Sequence, residues 1–192
     1  YQSVTASQIE DLCDFQEVIG IGESGLDFHY EHSPREVQEK SFRTHIAAAR
    51  ETGLPLIVHS RGADQETVDI LADEMAKGPF KGVIHCFSTG KELAEGAMAL
   101  GFYVSVAGIV TFKAADELRS TVTDLPLSRL LVETDAPFLT PVPNRGKRNE
   151  PAFVVHTARQ IADLKCITIG ELADATTANF FDLFNRAERP IK

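Results

Sequence analysis

Four residues that can bind a metal ion recur at one place in the pattern of the chain. Glu23 in GIGES, His59 in LIVHS, His85 in GVIHC and Asp135 in LVETD each end an apolar, β-rich run. Two imidazoles and two carboxylates form a mixed nitrogen and oxygen donor set, suited to Zn, Mn, Mg or related divalent ions. A single histidine or glutamate at a strand end is more often a hydrogen-bonded structural group. Four ligand types at equivalent positions favour a metal site, because independent structural uses would not select them together.

The runs that must position these groups are Val18–Glu23, Leu54–His59, Lys81–Cys86, Phe102–Ile109 and Arg129–Asp135. Alternation along a strand puts His59 on the face of Ile57, His85 on that of Val83, and Asp135 on that of Leu131 and Glu133. Cys86, next to His85, then faces the outer helices and reads as core. Helical patterns follow each run. Ser33-Pro34-Arg35-Glu36 supplies a cap, a proline at the first helical position and a glutamate three residues after the cap, and Gly53 closes that helix. Its apolar positions Val37, Phe42, Ile46 and Ala49 keep a helical period, as do Val68, Leu71 and Met75 in the next segment. Further helices are expected over Thr5–Asp14, Gly90–Leu100, Ala114–Thr123, Glu150–Leu164 and Ile169–Phe184.

Strands alternating with helices at this spacing predict βαβ units and a parallel sheet in one α/β domain over residues 1–192. An open doubly wound sheet and a (β/α) barrel both satisfy the pattern. In either, the carboxyl ends of the strands meet at one mouth, so separation in sequence becomes proximity in space.

The composition excludes several classes of function. A net charge of −9 opposes broad binding of duplex nucleic acid, so any nucleic-acid substrate must be held locally, with bound cations reversing the sign of the pocket. No apolar run approaches the roughly 18 to 20 residues of a membrane span. Cys13, Cys86 and Cys166 are widely spaced with no C-x-x-C pair, which predicts reduced thiols and a cytoplasmic protein. No phosphate-binding loop, nucleophile elbow or dinucleotide fingerprint is present.

Basic groups cluster near the proposed metals. The segment Asn144-Arg145-Gly146-Lys147-Arg148-Asn149 follows the Asp135 strand, and Arg61 follows His59 by two residues. Arg61, Arg145 and Lys147 are candidate phosphate contacts, since a guanidinium fork matches phosphate oxygens; the alternative for each is a solvated surface charge. Asp27, His29 and Tyr30 lie on the loop after the first strand, where His29 can donate to a phosphate or transfer a proton. His45 and His156 fall inside helices and read as surface or packing residues.

The ordered segments GESGLDFHY, PLIVHSR, HCFSTG, ETDAPFLTPVPNRGKRNEP and TTANFFDLF resemble the successive signatures of the TatD family of metal-dependent deoxyribonucleases, over nearly the whole chain. The resemblance implies a TIM-type (β/α)₈ barrel and hydrolysis of phosphodiester bonds in DNA, at single strands or ends and in the 3′ to 5′ direction. Two divalent ions per complete site are implied. Carried over by motif, Glu23 bridges the two ions, His59 and His85 bind one of them, and Asp135 binds a metal and orients the attacking water, making Glu23 and Asp135 the catalytic carboxylates.

One departure stands out, because the family's first strand carries a His-x-His pair that this sequence lacks. The five strands correspond to the last five of eight, so a preceding segment of three βα units is expected, and with it stronger metal binding and faster turnover than the 192 residues give alone. An amidohydrolase or esterase acting on a carbonyl, such as a deacylase of a nucleic-acid-linked group, is the alternative chemistry. A non-catalytic unit that associates through exposed barrel edges is the alternative to an enzyme.

Overall fold

The computed structural model describes residues 4–190. Among them lie seven α-helices and five strands: α1 Ala6–Cys13, β1 Ile21–Asp27, α2 Arg35–Thr52, β2 Leu56–Arg61, α3 Asp64–Lys77, β3 Gly82–Ile84, α4 Lys91–Ala99, β4 Tyr103–Val106, α5 Asp116–Asp124, β5 Leu130–Val132, α6 Val154–Leu164 and α7 Ile169–Leu183. All four strand pairings are parallel, and the sheet order β1-β2-β3-β4-β5 follows the chain. A doubly wound sheet reverses direction at a switch point. An order without reversal is that of a barrel wall, here an open one whose β1 and β5 each pair with one neighbour among the described residues.

The two faces of the sheet bury different partners. Leu56, Val58, Ile84, Val104 and Leu130 point outward into the main core, against Phe42 and Ile46 of α2, Leu71 of α3, Leu93 of α4 and Ile161 of α6. The alternate residues Val83, Tyr103 and Leu131, with the half-buried Ile57, point to the concave side and meet Phe180, Leu183 and Phe184. Parallel strands buried on both faces explain why these runs read as continuously apolar. The C-terminal end also ties the sheet together at its base: Arg186 donates to the carbonyl oxygens of Cys13 (2.7 Å) and Val18 (3.1 Å), just ahead of β1.

Several boundaries differ from those read in the sequence. The first strand begins three residues later than expected and runs on to Asp27, so Asp27 is its last residue rather than part of the loop. The run Phe102–Ile109 is a strand only over Tyr103–Val106, then a 3₁₀ turn at Gly108–Thr111. The regular part of β5 stops at Val132, although the Glu133 amide still donates to the Val106 carbonyl (3.1 Å). Residues 151–153 form a 3₁₀ turn ahead of α6.

At the start of α2, Pro34 rather than Ser33 occupies the cap position, and no side chain caps the helix. The Gln38 side chain instead accepts from the Asp27 amide (2.8 Å) and donates to the carbonyls of Asp27 and Ser33, so the helix is pinned to the end of β1. Gly53 does close α2, in the left-handed conformation (φ 70°). No helix among the described residues is long and apolar enough to cross a membrane.

Candidate metal centre

Three of the four sequence-derived ligands come together within coordination range. One donor atom each from Glu23, His59 and His85 lies within 4.8 Å of the other two. Glu23 reaches this place through an irregularity in β1: the two residues between Ile21 and Ser24 pass opposite the single residue between Leu56 and Val58, so one extra residue leaves the ladder. Glu23 is therefore inside the strand, not at its end. Gly25 allows the close approach, because a β-carbon there would overlap the carbonyl oxygen of His59 and its φ of +152° strains any side chain.

Each imidazole is held between two carboxylates. His85 places Nε2 2.9 Å from Glu23 and Nδ1 3.5 Å from Glu133. His59 places Nδ1 3.9 Å from Glu23 and Nε2 3.6 Å from Asp27. Glu133 also accepts from the Cys86 backbone amide, and the other oxygen of Asp27 accepts from the amides of His29 (3.0 Å) and Tyr30 (2.9 Å). Carboxylates that fix imidazoles in this way set the ring orientation and raise ligand basicity. The sequence signal for them was the alternation itself: Glu133 shares the mouth-facing side with Asp135, and Asp27 with Arg61, its partner across the sheet.

Asp135 reaches the same mouth but stays outside the triad. It sits three residues beyond β5 in a left-handed conformation (φ 56°), close enough to exchange charge effects with His85, Glu133 and Glu23. Burial, then repulsion from Glu133 and Glu23, holds its carboxyl above the ordinary range, against the attraction of His85. Burial disfavours the charged form of His85, but Glu133, Glu23 and Asp135 outweigh it and keep the imidazole above its usual value. For Asp27 burial is also outweighed, by the amides of Tyr30 and His29 and by His59 and Arg61, so its carboxyl lies below the usual range.

Cys86 corrects an expectation. It does not face the outer helices: its backbone turns to φ 47° immediately after His85, and the thiol lies against the Asp135 carboxylate. Regular β3 ends at Ile84, so alternation no longer governs the next side chains. Burial and the surrounding carboxylates push this thiol up.

Arg61 lies near Asp27, whose carboxyl it helps to lower, and Arg145 and Lys147 lie on the loop that follows Asp135. Arg61 stacks on Tyr30, 4.5 Å from the ring centre, and Arg145 stacks on Phe112 at 3.7 Å. Neither arginine, nor Lys147, has a carboxylate within 4 Å among the described residues. The His29 ring packs edge-on against Tyr30 at 4.7 Å. His156, read as a packing residue, meets the Asn144 side chain at 3.2 Å and so braces the loop that carries Arg145.

The donor set fits a divalent cation. Ligands about 2.0–2.2 Å from a shared ion lie no more than about 4.4 Å apart, within a few tenths of an ångström of the 4.8 Å limit met here. Imidazoles and carboxylates gathered at the carboxyl ends of parallel βα strands are the arrangement of a metal-dependent hydrolase on a barrel scaffold.

The comparisons agree with that class. Residues 2–185 match the family described as TatD related DNase, and the chain belongs to this TatD family of metal-dependent hydrolases. It is 47% identical over 176 residues to a Bacillus subtilis (strain 168) protein named uncharacterized metal-dependent hydrolase YabD, covering 92% of this chain and 69% of that one. It is 36% identical over 186 residues to the 3′-5′ ssDNA/RNA exonuclease TatD of Erwinia tasmaniensis, covering 94% and 71%. The crystal structure of YjjV, a TatD homologue from Escherichia coli K12, superposes with a TM-score of 0.87 at 28% identity, covering 96% of this chain and 71% of that one. Against the Escherichia coli K12 protein named uncharacterized metal-dependent hydrolase YcfH, 46% identical over 168 residues, the chain spans 63% of the relative's length.

Proposed function

We propose that the protein hydrolyses phosphodiester bonds of DNA, removing nucleotides from 3′ ends, with Glu23, His59, His85 and Asp135 holding two divalent ions of the Mg, Mn or Zn class. The observation that carries this reading is the triad of Glu23, His59 and His85, with Asp135 beside it and carboxylates behind both imidazoles. When bound, the ions polarise phosphoryl oxygens and lower the pKa of water.

The remaining work falls to the chain. Asp135, at the mouth beside His85, takes the proton of the attacking water. Glu133 and Asp27 keep His85 and His59 oriented toward the mouth. Arg61 and Arg145, pre-stacked on Tyr30 and Phe112, are the candidate guanidinium contacts to substrate phosphates. Attack on phosphorus breaks the bond to the 3′ oxygen of the preceding nucleotide, which leaves with a proton from solvent.

The test is incubation with single-stranded DNA labelled at its 5′ end, in Mg or Mn. Stepwise shortening from the 3′ end, stopped by chelation and by Asp135→Asn, is the expected result. Turnover of acyl or amide substrates with the DNA intact, or cleavage that survives chelation, would overturn it.

A further inference from the structure

We infer that Phe138 is a stacking platform for an unpaired nucleobase next to the phosphate being cleaved. The inference rests on the phosphodiesterase reading above and adds a base-binding subsite to it. Phe138 is 68% exposed, the most exposed large hydrophobic side chain among the described residues. A flexible loop would turn such a ring inward, because apolar surface left in water is unfavourable. This loop cannot. The Phe138 amide donates to the Asp135 carbonyl at 2.8 Å, and its own carbonyl accepts from the Asn149 side chain at 2.6 Å.

Asn149 is only 3% exposed, and it spends a second amide hydrogen on the Thr134 carbonyl at 2.8 Å while its backbone amide donates to Pro137. Asp135 and Leu139, within three residues on either side, both adopt left-handed φ angles of 56° and 52°. Such conformations persist only where the surroundings over-determine them, and they cluster at ligand clamps. Here they hold the ring out beside the site, since the turn from Asp135 to Phe138 keeps the two Cα atoms within about 7 Å.

The arenes beside the basic candidates are already covered. Tyr30 carries Arg61 at 4.5 Å and stacks with His32 at 5.5 Å, and Phe112 carries Arg145 at 3.7 Å. Phe138 has no ring or cation partner of this kind among the described residues. A bare arene one turn of chain from Asp135, itself beside the cation-binding triad, matches a planar aromatic group attached to a phosphate. A nucleobase qualifies, and only when it is unpaired, because a base inside a duplex has no free face. Stacking of this kind tolerates every base, since all present a π face.

The chain contains no tryptophan, so Phe138→Trp introduces a single indole as reporter. Binding is measured with oligothymidylate carrying phosphorothioate linkages, and with an abasic strand of the same backbone and length. The expected result is quenching of the indole by oligothymidylate and not by the abasic strand. Phe138→Ala, with a melting curve to establish folding, should weaken oligothymidylate about tenfold or more and leave the abasic strand within about twofold. Equal loss for both strands, or no selective loss, would overturn the subsite while leaving the phosphodiesterase reading in place. A parent protein that binds neither strand would overturn that reading, and the subsite with it.

Discussion

Two clusters of acidic side chains sit on opposite sides of the same sheet and differ in what neutralises them. On the outer layer, Glu74 of α3 is buried to 5% exposure and is met by three cations of this chain: Arg43 at 2.7 Å, Arg50 at 2.9 Å and Lys77 at 2.8 Å. Burial opposes its charge, yet hydrogen bonds from Lys77, Arg50 and Arg43 prevail and lower its carboxyl to about 2. At the mouth, Glu23, Asp27, Glu133 and Asp135 surround two imidazoles, with no lysine or arginine within 4 Å among the described residues. The outer cluster is complete in itself. The inner one carries an excess of negative charge that suits an added cation; burial and that charge hold Asp135 up, and against burial the same charge holds His85 up.

The largest effect that tests this contrast is on turnover. Asp135→Asn should lower kcat by about 10²–10⁴ with little change in KM, the range for loss of a positioned proton acceptor, as measured by DNA cleavage at saturating Mn. An unchanged kcat would assign Asp135 to structure, alongside Glu74. Glu133→Gln should weaken divalent-ion binding about 10–100-fold in calorimetry, because it removes the carboxylate behind His85. Ion binding unaffected by this change would mean that His85 is held by packing alone.

For the outer cluster the expected loss is in stability. Glu74→Ala leaves Arg50, which is 20% exposed, without its carboxylate, and should cost about 2–3 kcal/mol in urea unfolding, with divalent-ion affinity unchanged. The pH dependence has a definite sign. Because the Glu74 carboxyl is lowered from 4.5 to about 2 in the folded state, its stabilisation is fully present above pH 4.5 and disappears as the pH falls toward 2. Arg43 and Lys77 are 37% and 52% exposed, so solvent screening keeps the contribution to no more than about 3 kcal/mol. The difference in unfolding free energy between the parent and Glu74→Ala should be smaller at pH 3 than at pH 6 without closing, because the folded carboxyl is still mostly ionised at pH 3.

The smallest stability effect is expected on the loop after Asp135. Arg145→Ala removes an exposed cation that has no ion pair among the described residues and packs on the Phe112 ring, so unfolding free energy should shift by no more than about 0.5 kcal/mol. KM for oligonucleotide should rise several-fold as a phosphate contact is lost. A large loss of stability with unchanged KM would move Arg145 to the structural side of the comparison.

The sequence by itself determined the ligand types, the βα alternation and the parallel sheet, because strand periodicity and apolar runs are local properties that tertiary packing later exploits. It also marked His59 and His85 on the concave face with Ile57 and Val83, since alternation of side chains needs no knowledge of neighbours. Periodicity left an open doubly wound sheet and a barrel wall equal, and only the family resemblance implied the barrel; the strand order, a relation between distant segments, came from the tertiary structure. The extra residue that carries Glu23 out of the β1 ladder became visible only with β2 alongside it. The turn of Cys86 toward Asp135 had the same origin, arising where regular β3 ends and alternation stops predicting direction. Glu133 and Asp27 acquired their places behind the histidines from strand pairing, which fixes which carboxylate a given imidazole meets.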